Sequence, residues 1–162
     1  MNLRAFTTLE IVIAIGVIFI FMSASFIFLG SSPNIDVALK DEAYKIETSL
    51  KNARYRALIG EEEKDWGVYF SNLTNRKPFY SLFKGTSWQE TSSVWKKNLE
   101  NVLIFNIPTS NSSTTILFER LSGNLKNATS AVIEIVVKTN PTLGRRITVN
   151  QLGGVKVESI GE

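Results

Sequence analysis

A single carboxylate, Glu10, stands at the entrance to a run of nineteen residues with no charge and no proline, Ile11–Leu29. A carboxylate that enters hydrocarbon unpaired costs about 2.5–3.5 kcal/mol, so one retained at the edge of such a run marks a functional position by default. The chemistry open to it is pairing with a cation, because either partner left unmatched in a low dielectric is costly. The same group would also favour its own helix N-terminus through the macrodipole. A second set is cationic. Arg145, Arg146 and Lys156 put positive charge near the C-terminus, where a few cations can hold phosphates with strong salt dependence and little sequence preference. An ordinary wet strand face carries the same residues, and adjacent Arg145 and Arg146 point to opposite faces of a strand, so at most one shares a face with Lys156. A third set, Glu61-Glu62-Glu63 followed by Lys64-Asp65, reads as a solvated loop after a helix rather than as a metal or catalytic centre.

What is missing narrows the chemistry further. The 162 residues contain no histidine and no cysteine, which removes the commonest general base, the commonest metal ligand and any disulfide framework. No phosphate-binding loop, nucleophile elbow or metal-spaced ligand set appears. The expectation is a chain that is not an enzyme, with no catalytic residues, no metal and no cofactor. Its net charge of +3 permits contact with nucleic acid without demanding it. Asn72, Asn111 and Asn127 each open a glycosylation-like triplet, which reads as accidental.

The elements that position these residues begin with the apolar run. As a helix, Ile11–Leu29 spans about 28 Å, close to the hydrocarbon core of a bilayer, and helix is the state that pairs every backbone group internally. Arg4 ahead of it favours a cytoplasmic N-terminus. An ordinary signal peptide shares the basic start, but its apolar core is shorter and carries no Glu10. Gly30-Ser31-Ser32-Pro33-Asn34 punctuates the chain, with Pro33 either kinking one long helix or opening a new one behind Ser32. Beyond it, Leu39, Ala43, Ile46, Leu50, Ala53 and Ala57 recur at alternating spacings of four and three, an apolar stripe on a helix from about Asp36 to Ile59 that stops at Gly60. The remainder reads as strands at Trp66–Phe70, Phe79–Phe83, Val102–Ile107, Thr115–Arg120, Ala131–Lys138, Arg145–Asn150 and Val155–Ile160. Leu152-Gly153-Gly154 closes the last two as a hairpin, and Asn106–Thr115 reads as a mobile loop. Trp66 is expected in the core; Trp88 and Trp95 flank a polar stretch, as surface anchors or as core and edge packing.

Arg4-Ala5-Phe6-Thr7-Thr8-Leu9-Glu10 resembles the cleavage motif of type IV prepilins and pseudopilins. The resemblance implies that a prepilin peptidase cuts between Ala5 and Phe6, that the new amine on Phe6 is methylated, and that Glu10 pairs with that amine on a neighbouring subunit. Alanine stands before the cut where glycine is usual, and Thr8 where a larger apolar residue is common. Downstream, Leu50–Leu58, Ile116-Leu117-Phe118 with Gly123, Arg146–Asn150 and Gly154–Val157 resemble elements of the GspH/FimT family of minor pseudopilins and pilins. The implied organisation is a leader 1–5, a membrane and polymerisation helix 6–30, and a soluble domain 31–162. The implied fold is α+β, with a long N-terminal helix packed on antiparallel sheet. The implied partners are other pilin or pseudopilin subunits, the peptidase, the inner-membrane assembly platform and the lipid bilayer, with the C-terminal domain periplasmic or extracellular. Members like FimT are associated with DNA capture, which makes DNA a further candidate partner for Arg145, Arg146 and Lys156.

Overall fold

The structure is a computed structural model that describes residues 8–29 and 35–161, with side chains given in the first stretch only as far as Met22. The leader, the cut site at Ala5 and Phe6, and the Gly30–Asn34 break lie outside the described residues. The chain divides into two compact units immediately before Ile35.

The first unit is helix α1, Thr8–Leu29. Every described side chain from Thr8 to Met22 is exposed, including Leu9, Ile11, Phe19, Ile20 and Phe21. A helix that is apolar all round is one that something else must cover. Among the described residues no helix is long and apolar enough to cross a membrane; the second part of the expected span, 23–29, has no described side chains.

The second unit opens with α2, Ile35–Leu58. Its stripe is the expected one: Leu39, Ala43, Ile46, Leu50, Ala53 and Ala57 are all buried, and burying each of the three large ones contributes about 1.5–3 kcal/mol. Gly60 stops the helix in the left-handed region, at φ 68°, a conformation that costs glycine nothing. Eight strands follow: β1 Trp66–Ser71, β2 Phe79–Lys84, β3 Ser93–Asn98, β4 Leu103–Ile107, β5 Ser113–Phe118, β6 Ser130–Val137, β7 Asn140–Asn150 and β8 Val155–Ile160. They form two four-stranded antiparallel sheets, ordered β3-β2-β1-β5 and β4-β6-β7-β8. The α2 stripe touches both. One apolar cluster joins it to Trp66, Val68 and Phe70 of β1, Ile116 and Phe118 of β5, and Ile133, Ile135 and Ile147 of the second sheet. Because that cluster lies wholly within residues 39–149, with its packed neighbours no further than Val157, the second unit carries its own core.

Three differences from the sequence expectation have physical causes. Strand β3 was not expected, because Ser-Val-Trp-Lys-Lys-Asn is polar; yet it alternates half-buried and exposed positions, and lysines are what an edge strand uses to discourage further pairing. The Asn106–Thr115 loop shrinks, since Asn106 and Ile107 belong to β4 and Ser113 to Thr115 belong to β5. Buried Asn72 holds what remains, donating from Nδ2 to the Phe105 and Pro108 carbonyls at 3.0 and 2.8 Å and from its backbone N–H to Ser112. Strand β7 begins at Asn140 rather than Arg145, extended by its hairpin with β6. Trp66 is core, as expected, with Nε1 donating to the Glu61 carbonyl. Trp88 stacks on Tyr69 at 4.1 Å and Trp95 meets Tyr80 edge-on, so both pack rather than project.

Asp65, just before β1, anchors the β5–β6 connector. It accepts the Arg120 backbone N–H at 2.8 Å and the Lys126 ammonium. Burial pushes the Asp65 carboxyl up, but these two hydrogen bonds bring it net below its usual range; bonding to Asp65 raises the Lys126 ammonium in turn. A carboxyl depressed by folding contributes stability that is present above its unfolded pKa of about 3.9 and lost as pH falls through the folded value. Asp65→Asn should therefore cost about 1–2 kcal/mol at pH 7. Urea unfolding at pH 7 and at pH 3 should show the gap to wild type shrinking on the acid side; a gap that stays constant would mean the ion pair contributes nothing.

Candidate functional site

Glu10 lies in the first turn of α1 and is exposed. Ala5 and Phe6 are outside the described residues, so the assembly site is seen only through its carboxylate.

The three C-terminal cations are placed individually, and each has an acidic partner. Arg146 lies opposite Glu134 and Glu158 in the β6-β7-β8 register. Its Nε donates to Glu134 Oε1 at 2.6 Å, while Asn106 Nδ2 fills Glu134 Oε2 at 2.8 Å. Lys156 sits opposite Thr148 on that same face and pairs with Glu158 at 2.6 Å; this bond holds the Glu158 carboxyl below its usual range. Arg145 points the other way, towards α2. Its Nη2 reaches Asp36 at 3.1 Å, its Nη1 donates to Ser159, and its side chain is only 13% exposed. Asp36 is held low by Lys40 and then by Arg145. The structure therefore brings Arg146 and Lys156 onto one face and sends Arg145 to the opposite one. That face is a neutralised charge ladder of the kind that keeps a sheet soluble.

The acidic run after α2 is likewise split. Glu61 faces Arg56, Glu62 faces Lys84 and Glu63 faces Arg120. Among the described residues no three acidic or sulfur- or imidazole-bearing side chains gather as a metal site would require.

Two assemblies were not foreseen. The first is Glu42, wholly buried on α2. Its Oε2 takes Lys97 Nζ from the missed strand β3 at 3.1 Å, while Oε1 is buried with no hydrogen-bond partner among the described residues. Tyr80 lies against it, and burial first, then the Glu42 charge, pushes the phenol well up. The signal was present: Glu42 falls between Leu39 and Ile46 at the spacings of three and four that define the stripe. The second is the end of α2. The Leu121 backbone N–H caps the Ala57 carbonyl at 2.8 Å, and Leu125 N–H bonds Gln151, so the β5–β6 connector and the β7–β8 turn close together on the helix end. Arg54, on the flank of the α2 stripe, meets Gly123 and Gly153 there.

A solved structure resembles this arrangement. The type IV minor pilin FimU of Pseudomonas aeruginosa strain PAO1, in two crystal forms, superposes with TM-scores of 0.54 and 0.55 at 16% identity. The match covers 74% of this chain and 92% or 87% of FimU. This chain has the fold of a type IV minor pilin. No protein-family model matches it, and no curated protein does. The pilin fold accounts for the helix stripe against antiparallel sheet; at this identity it assigns no residue a role.

Proposed function

We propose that the chain is a structural minor pilin or pseudopilin, processed before Phe6, anchored by α1 in the inner membrane, and assembled through that helix into a type IV pilus or a type II secretion pseudopilus. The observation that carries this reading is an apolar helix exposed on every described side, ahead of a unit with its own core and the pilin fold. A self-sufficient domain has no use for such a helix unless lipid, then neighbouring subunits, cover it. Glu10 and Phe6 supply the register. The peptidase, the assembly platform and other pilins are the partners this role requires, and the second unit stands in the periplasm or outside the cell. The role is structural rather than catalytic. DNA capture gains no support from Arg145, Arg146 and Lys156, because each is already neutralised by a carboxylate.

Co-expression with a prepilin peptidase tests the reading. Mass spectrometry should find the chain shortened by the five leader residues, with methylated Phe6 at its start. An uncut chain, or one cut near residue 30 by signal peptidase, would end it.

A further inference from the structure

The first sheet has a second face. In β1 the core residues Val68 and Phe70 alternate with Tyr69, which therefore points away from α2, and Phe79 of β2 shares that side through its pairing with Ser71. Phe79 is nonetheless only 2% exposed. Lys96 lies over its ring at 4.0 Å, and Trp88 packs against it, 6.0 Å between ring centroids, while stacking on Tyr69. Trp88 comes from the β2–β3 connector, and little else ties that connector down. Thr86, Ser87 and Trp88 make no hydrogen bond among the described residues. The bonds lie at its two ends. Gly85 N–H donates to the Asp65 carbonyl at 2.8 Å, while Gln89 and Ser92 close a turn on each other and Glu90 reaches Lys96 at 3.6 Å. Gly85 has φ +110° and open space around its would-be Cβ, so the chain can swing there without meeting a neighbour.

The contact that closes this connector is incomplete. Trp88 Nε1 is buried with no acceptor among the described residues, whereas the core indole of Trp66 donates to the Glu61 carbonyl. A buried tryptophan N–H ordinarily finds a partner, and one that does not forfeits the hydrogen bonds water would give it. Ring stacking thus favours the closed connector, and the unmet donor favours the open one. We propose that residues 86–88 form a strap that opens and closes within the folded protein, its open state placing the Trp88 indole in water and leaving Tyr69 and Phe79 bare. Local opening is expected where a segment has few hydrogen bonds of its own. Opposed contributions of this size leave an open state of about 1–10%, the upper part of the range for minor states. The strap is then a cover. It keeps two aromatic rings from forming an adhesive patch on the free subunit, and one indole decides when they are released. Every residue involved lies in the second unit, so the inference stands apart from the role proposed for α1.

The test is fluorine NMR of the full chain in detergent micelles, labelled with 5-fluorotryptophan and, separately, with 3-fluorotyrosine. Trp88→Phe and Tyr69→Phe assign the two signals. Saturation transfer should find one exchange rate shared by Trp88 and Tyr69 and absent from Trp66. In the minor state Tyr69 should take the shift it has in Trp88→Ala, where the stack is permanently gone. A second arm replaces Trp88 by benzothienylalanine, which keeps the bicyclic ring and carries sulfur in place of the N–H. The open population should then fall by about five- to hundredfold, the range spanned by an unmet buried donor. This arm decides the matter if Trp88→Ala fails to fold. No minor state above about 0.1%, or an isostere that leaves the open population unchanged, overturns the proposal. So does a minor state whose Tyr69 shift differs from that in Trp88→Ala, and so does exchange that Trp66 shares, which would report unfolding of the whole unit.

Discussion

Gly153→Ala should destabilise the soluble unit by about 2–4 kcal/mol, the sum expected for a left-handed non-glycine residue and an overpacked site. Gly153 has φ +76°, and a Cβ there would stand 2.5 Å from the Gly123 carbonyl oxygen and 2.5 Å from Arg54 Nε. Neither can move aside cheaply. Gly123 is tied down on both sides, its own N–H donating to the Glu119 carbonyl and the Asn124 N–H that shares its carbonyl's peptide donating to Ser122 Oγ, and the connector it belongs to caps α2 through Leu121. Arg54 is half-buried at the helix end, its Nε shut off from solvent and without a hydrogen-bond partner among the described residues. The damage should therefore spread to the helix C-terminus, seen as faster amide exchange at Leu58, Ile59 and Gly60. Gly85→Ala is the control, since Gly85 has φ +110° but open space around its would-be Cβ. It isolates the backbone cost, about 1–2 kcal/mol. Equal urea midpoints for the two variants would mean that the two turns do not meet on Arg54.

What the sequence disclosed divides along the range of the interactions. The α2 stripe, the stop at Gly60 and the β7–β8 turn are local, written in spacings of three and four and in a Gly-Gly pair, and they appear where expected. Seven of the strands were visible because β-branched and aromatic residues cluster in them. Strand β3 was not, since its inward positions are Ser93, Trp95 and Lys97, and Lys97 becomes acceptable there only because Glu42 waits on a helix 55 residues earlier. Sheet order is similarly non-local: nothing near β1 says that β2 and β5 flank it. The candidate cations show the limit most clearly. Their charge was legible, but their neutralisation comes from Glu134, Glu158 and Asp36, and the last is 109 residues from Arg145. Arg145 looked like surface charge and is a half-buried partner of Asp36. Glu10, by contrast, needed no tertiary knowledge, because one carboxylate at the mouth of an uncharged run is anomalous in the sequence itself.

That anomaly yields the largest functional effect expected of any single change. Glu10→Ala should still be cut before Phe6 and still reside in the membrane, because neither the leader nor the apolar run is altered. It should fail to join filaments, with incorporation falling by at least about tenfold for each contact worth 1.4 kcal/mol or more. In the proposed assembly, the Glu10 carboxylate of one subunit meets the Phe6 amine of another as helices stack side by side. Removing one partner strands the other in low dielectric, which costs about 3–5 kcal/mol for a buried pair. Two further variants separate that pairing from a simple need for a polar residue. Glu10→Gln keeps the shape and loses the charge, and should assemble as poorly as alanine. A leader made uncleavable by a bulky residue at Ala5 never forms the Phe6 amine, so adding Glu10→Ala to it should cause no further loss. The measurement is co-purification with other pilins, normalised to the amount of each variant in the membrane. Wild-type incorporation of Glu10→Ala would show the pair to be dispensable. Additive losses in the doubly altered chain would show that the carboxylate acts on something other than the amine, the start of its own helix being the first place to look.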